Sequence, residues 1–335
     1  MMHTRRTFLA ACSAAAGLAQ TAASKMGVAT TCYMTVRRPK DTLEFLEHCR
    51  GLGAGGIQAS LSNTSPEYLK KLRTNLESYG MWMEVMAGLP RAGSEEAFAR
   101  TLAAAKEVGA LCIRSACLGG RRYETFPTME EWQKFVATSH AALAKAVPMA
   151  EKAGVTFAIE NHKDWTVDEL LAILKKYSSE RFGVCLDTGN NISLLDDAME
   201  VVERLAPYAV STHIKDMALD EYADGFLLAE VPLGTGYLDI PKMVRVIAAA
   251  RPGTKMTLEM ITRDPLKVPC LTDKYWATFP QREGTKLARM LRTVKEAKNP
   301  KPIAKLSTLP AKTQWQLEED NVVLCLKYAR ERLAL

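Results

Sequence analysis

From residue 27 to residue 260 the chain alternates short apolar runs with amphipathic stretches, and it does so eight times. The runs lie at 28–35, 56–60, 82–87, 111–117, 156–160, 183–187, 210–215 and 256–260. Helix-start signals stand between them. Asp41 precedes Phe45 and Leu46, Pro66 opens a stretch that closes at Gly80, Ser94 precedes Ala97 and Phe98, and Asp239 is followed by Pro241. Thr128 with Glu131, and Thr166 with Glu169, have the spacing of capping boxes, in which each partner satisfies the other's free backbone N–H. Strands separated by helices pair in parallel, so eight units predict an α/β fold, the closed (β/α)8 TIM barrel. The alternative, an open doubly wound sheet, carries a glycine-rich turn after its first strand. Here that place holds Val36, Arg37, Arg38 and Pro39.

Side chains alternate across a strand, and in the later runs the alternation separates bulky apolar groups from small or polar ones. Phe157 and Ile159 oppose Thr156, Ala158 and Glu160. Val184 and Leu186 oppose Gly183, Cys185 and Asp187, and Ile214 opposes His213 and Lys215. Thr257 and Glu259 share a face, as do Cys112 and Arg114. The bulky face belongs against the helices and the other against the barrel axis. Glu160, Asp187, His213 and Glu259 then stand inward at strand carboxyl ends, where barrel enzymes keep their chemistry. Three carboxylates at one barrel mouth repel one another unless a cation joins them. An oxygen-rich set with one imidazole suits one divalent ion. Manganese is expected first, with magnesium, cobalt or zinc as alternatives.

Composition sets the outer limits. The 335 residues are 47% apolar and 24% charged, which excludes a disordered chain. The net charge of +6 is spread along the sequence, so no nucleic-acid partner is expected. Residues 1–25 read as a segment apart. Arg5 and Arg6 are followed by Phe8, Leu9 and an Ala-rich stretch to Ala23, which resembles a twin-arginine export signal and implies a periplasmic protein cleaved near Ala22 and Ala23. No later run reaches the ~18 apolar residues of a membrane span. Of eight cysteines, Cys12 lies in the signal, and the other seven are too scattered for a disulfide framework. The fold proper is expected over 26–335. The stretch 262–284, with Pro265, Pro269, Trp276 and Pro280, reads as a rim or lid, and 282–333 as C-terminal helices.

Five segments carry a family resemblance. Residues 159–162 (Ile-Glu-Asn-His), 186–190 (Leu-Asp-Thr-Gly-Asn), 212–216 (Thr-His-Ile-Lys-Asp), 233–239 (Leu-Gly-Thr-Gly-Tyr-Leu-Asp) and 258–260 (Leu-Glu-Met) resemble the xylose-isomerase-like barrel superfamily, the sugar phosphate isomerase/epimerase group. The resemblance implies one divalent metal held by Glu160, Asp187, His213 and Glu259. It also implies that Glu160 and Glu259 are catalytic, moving a proton on and off a carbon beside a carbonyl. Many members carry a His where this chain has Asn190, a departure from the ketose 3-epimerases.

The expected substrate is a small carbohydrate. Its expected contacts are His162, Asn190, Lys215, Arg114 with Glu84 as its partner, and Trp276 beside Phe279 on a sugar face. The expected function is a metal-dependent sugar isomerase or epimerase working through an enediolate. The same site would serve a lyase or hydratase on a keto-sugar or keto-glycoside, and a non-catalytic sugar-binding barrel is a third reading. A DNA-repair barrel with three metals needs many histidines, and this chain has five. The sequence leaves a homo-oligomer open.

Overall fold

The computed structural model describes residues 23–297 and 303–335. The expected export signal falls outside the described residues except for its last three positions. Of these, Ser24 is buried and its N–H donates to Gly53 O at 2.7 Å.

The strands are β1 (Gly27–Ala29), β2 (Gly56–Ala59), β3 (Trp82–Met86), β4 (Ile113–Ser115), β5 (Phe157–Glu160), β6 (Phe182–Asp187), β7 (Ala209–His213), β8 (Asp216–Tyr222), β9 (Gly225–Val231), β10 (Thr257–Leu258) and β11 (Leu266–Val268). Eight of them form one parallel sheet in the order β10-β1-β2-β3-β4-β5-β6-β7. A parallel bridge between Ile214 and Leu258 joins its two ends, with Ile214 N donating to Thr257 O at 2.7 Å and Glu259 N to Ile214 O at 3.1 Å. The TIM barrel predicted from the alternation is the observed fold.

Helices fill the crossovers, and most begin where the sequence marks them. Asp41 accepts from Leu43 N and Glu44 N, Gly80 ends Pro66–Tyr79 at φ 63°, and Thr166 and Glu169 close a full capping box. Ser94 is different. Its hydroxyl turns back to Arg91, accepting from the amide at 2.8 Å and donating to the carbonyl at 2.9 Å, so Glu95–Glu107 starts without a side-chain cap.

The floor of the barrel is set by size. Trp82 lies across β1 and β2, so that a Cβ on Gly27 or Gly56 would come within 2.3 or 2.2 Å of its ring. Cys112, Ala158 and Cys185 fill a further part of the interior. The seven cysteines among the described residues are all buried and free.

Several expected strands are shorter than predicted: 111–117 is strand only over Ile113–Ser115 and 256–260 only over Thr257–Leu258, and two further runs change course. The run 28–35 is strand only to Ala29, and Thr30–Tyr33 coils into a 3-10 turn. Cys32 Sγ lies 3.4 Å from Leu258 O and 3.3 Å from Met260 N, tying that turn over β10. The run 210–215 stops as a strand at His213, and the chain then enters an unpredicted antiparallel sheet ordered β11-β9-β8. The rim segment supplies β11 and the short helix Asp273–Trp276.

The C-terminal helix Ala311–Arg332 fastens loops from separate parts of the barrel. The carboxylate of Glu318 accepts from Thr35 N, Val36 N and Arg37 N at 3.2, 3.1 and 3.0 Å, and Asn321 Nδ2 donates to Thr262 Oγ1 at 2.9 Å. Among the described residues no helix is long and apolar enough to cross a membrane.

Candidate metal centre

Glu160 ends β5, Asp187 ends β6, His213 ends β7, and Glu259 follows β10. All four are buried, and one ligand atom from each lies within 4.8 Å of the others. His213 Nδ1 faces Glu160 Oε1 at 3.2 Å, Glu259 Oε1 at 3.5 Å and Asp187 Oδ2 at 3.7 Å. The donor chemistry fits a divalent ion, because three carboxylates and one imidazole nitrogen, all buried, converge on one point.

The imidazole is oriented from beneath. His213 Nε2 lies 2.7 Å from Gln58 Oε1, and Gln58 Nε2 donates to Glu84 Oε2 at 2.8 Å. An amide oxygen can only accept, so Nε2 carries the proton and Nδ1 is left to the carboxylates. Ser211 Oγ donates to the same Glu84 oxygen at 2.7 Å, and burial pushes the Glu84 carboxyl above its ordinary range. Glu84 therefore supports Gln58 and Ser211 and does not pair with Arg114. Arg114 instead forms an ion pair with Glu160. Gln58 was not a sequence candidate, because an inward amide at a strand centre carries no motif.

Cations surround the carboxylates. Lys215 Nζ is 2.9 Å from Asp187 Oδ2 and pairs with Glu259. Burial opposes both carboxylates, but Lys215 and His213 hold Asp187 below, and Glu259 well below, the usual carboxylate range. Burial likewise opposes a charged His213, yet Cys185, Glu259 and Asp187 together raise it to about 10. Asp187 Oδ1 accepts from Gly189 N at 2.8 Å and Asn190 N at 2.7 Å, so the turn after β6 fixes the carboxylate.

Asn190 links the centre to a second lysine. Its Nδ2 donates to Glu160 Oε1 at 3.0 Å, and its Oδ1 accepts from Lys163 and, at 3.4 Å, from Lys215. From β9, Glu230 reaches Lys215 Nζ at 3.7 Å and Arg263 Nη2 at 2.8 Å. Lys163, Glu230 and Arg263 were also absent from the sequence candidates. The Asp224–Gly225 pair between two apolar runs was a readable hairpin signal for β8 and β9.

His162 stands half-buried at the mouth, and its Nδ1 makes no hydrogen bond. Burial and the neighbouring Lys163 and Arg114 hold the ring well below its ordinary pKa, hence neutral. Trp276 is packed on Tyr275 and Phe279, with its indole N–H on Cys270 O at 2.8 Å. Phe279 in turn covers Arg122, a buried guanidinium 4.2 Å from its ring and 3.7 Å from that of Trp132. A cleft of about 430 Å³ opens at the carboxyl ends of β1 and β2, lined by Thr30, Thr31, Asp41, Ala59 and Ser60.

Comparisons with known proteins agree with this architecture. A 3-oxo-isoapionate decarboxylase of Pectobacterium atrosepticum is 28% identical over 218 residues, covering 63% of this chain and 74% of the relative. A solved D-psicose 3-epimerase superposes with a TM-score of 0.57 at 15% identity, covering 81% of this chain and 96% of its own. The IOLI protein, solved with a zinc atom, gives 0.53 at 15% identity, covering 81% and 98%. Residues 46–292 match the family model described as xylose isomerase-like TIM barrel, and the chain belongs to that family.

Proposed function

We propose that this protein is a divalent-metal-dependent enzyme that moves a proton at a carbon beside a carbonyl of a small carbohydrate, giving isomerisation or epimerisation. The observation that carries the reading is the convergence of Glu160, Asp187, His213 and Glu259 at one barrel mouth. A bound metal, with manganese the first expectation, would polarise the carbonyl and its neighbouring hydroxyl and so acidify the C–H. Glu160 and Glu259 form ion pairs with Arg114 and Lys215. Each places a carboxylate oxygen at the barrel mouth as a candidate proton acceptor, Glu160 at the end of β5 and Glu259 just after β10. His162 offers the mouth a neutral ring with an unsatisfied nitrogen. Arg114, Asn190 and Lys215 border the carboxylates as donors to substrate oxygens. The fold neighbours include an epimerase, in keeping with this chemistry.

The Pectobacterium relative favours a second reading, cleavage of a bond beside the carbonyl, with the same residues stabilising the charge left behind. One experiment weighs the two. Wild type and the variants Glu160→Gln and Glu259→Gln are loaded with manganese and incubated with ketoses in deuterated water, and proton NMR follows the carbon beside the carbonyl. The wild type should incorporate deuterium, and each variant should lose about 10²–10⁴-fold in rate, the usual contribution of a positioned base. Full exchange in both variants would move the base elsewhere, and cleavage products without exchange would favour the second reading.

A further inference from the structure

Lys163 stands beside this centre without a direct ion pair among the described residues, Glu230 and Asp187 acting on it only from a distance. Its side chain is buried, and among the described residues it pairs with no carboxylate, only with the neutral Oδ1 of Asn190. That same oxygen accepts from Lys215, so two ammonium groups share one amide. Lys215 and Arg263 meet over Glu230 Oε1 at 3.7 and 2.8 Å. A chain of three cations, Lys163, Lys215 and Arg263, thus borders the ligand set and holds one carboxylate of its own. Asp187 and Glu259 balance Lys215 only while they are free of a metal.

We propose that the substrate carries a carboxylate on the carbon chain that faces the metal centre, and that Lys163, with Lys215 and Arg263, receives it. The proposal rests on the metal-dependent reading above. With Asp187 and Glu259 committed to a metal, three cations face Glu230 alone, and an anion restores the balance. A neutral sugar leaves Lys163 without an ion-pair partner, whereas a carboxylate beside it would stabilise its charged form. Burial, Lys215 and Arg263 push Lys163 down to about 7 against the pull of Glu230 and Asp187, and an anion brought beside it would raise it again. The position of the cations also selects among anions. They touch residues that contact the ligand set itself, which suits a carboxylate on the reacting chain better than a phosphate at the far end of a sugar.

Calorimetry on the manganese-loaded protein tests this with three probes. D-Fructose and 2-keto-D-gluconate share the carbonyl and differ in a hydroxymethyl against a carboxylate, while D-fructose 6-phosphate puts its charge at the other end. The acid should bind at least tenfold more tightly than fructose. Lys163→Met should remove that preference, bringing the ratio of acid to fructose affinity close to one. Arg263→Gln, at a partly exposed position, should reduce the preference even if the Lys163 variant does not fold. Equal affinities, tightest binding of the phosphate, a preference that survives both variants, or no binding of any probe overturns the proposal. Equal affinities together with deuterium exchange on fructose would retain metal-dependent proton transfer and remove only the carboxylate. Failure of the protein to bind manganese would remove the metal reading itself.

Discussion

His213 has two nitrogens, and the structure gives each its own task. Nε2 is spent on Gln58 at 2.7 Å, so Nδ1 points into the carboxylates. Gln58 is itself held by Glu84, buried on the strand next to its own. Such an outer partner fixes the ring orientation and tautomer of a ligand, and its loss typically costs about 10–100-fold in metal affinity or activity. Gln58→Leu should therefore weaken manganese binding by about that factor in a metal titration, with the fold intact by circular dichroism. Unchanged affinity would mean that His213 is oriented by its backbone alone. The sequence displayed His213 at a strand end but not Gln58, because the two meet across 155 positions of chain.

Between residue and barrel, one turn shows how an element is specified. The Gly-Thr-Gly run at 234–236 wraps the carboxylate of Asp216, which accepts from Gly234 N and Gly236 N at 2.9 Å and from Leu238 N at 3.2 Å. A Cβ on Gly236 would stand 2.2 Å from Asp216 Oδ1 and 2.4 Å from Met217 O. Gly236→Ala should destabilise the protein by about 1–3 kcal/mol, the usual range for overpacking, and lower the melting temperature by several degrees. A melting temperature equal to wild type would show that the turn relaxes freely. The rim has its own fastening. Arg122 is fully buried and donates to Thr278 O at 2.6 Å and to Glu169 Oε2 at 2.8 Å, which pins the stretch after Trp276 to the Val167–Lys176 helix.

At the scale of the molecule, buried charge links stability to pH. Burial raises Asp164 to about 7, although it accepts from Trp165 N and Leu118 N. Its unfolded-state pKa is near 3.9. The folded state therefore keeps a proton that the unfolded chain releases between about pH 4 and 7. Stability from this group is fully present below pH 4, is lost by about 1.4 kcal/mol per unit as pH rises, and levels off above 7. Compared with Asp164→Asn, the wild type should lose stability between pH 5 and 7 in urea unfolding, and parallel curves would refute the assignment. The N-terminal segment carries a separate proposal, that residues 1–25 direct twin-arginine export. Replacing Arg5 and Arg6 by Lys should leave the precursor uncleaved in the cytoplasm, whereas unchanged periplasmic delivery would make the arginine pair incidental.

The alternation of runs and the parity within them are local properties. By themselves they determined the barrel, the inward face and the four strand-end residues that the structure brings together. Strand lengths were not local. The 28–35 run is strand only to Ala29, and beyond it Cys32 bonds across to β10, a contact between positions 226 residues apart. The β8–β9–β11 sheet, with Glu230 and Arg263, gathers strands from both sides of the last β/α unit. The pairing of Lys163 with Asn190 depends on how two loops fold toward each other. A sequence lists its donors, acceptors and charges, but which of them meet is fixed only when the barrel closes, because partners far apart in the chain compete until packing leaves one arrangement with its buried polar groups satisfied.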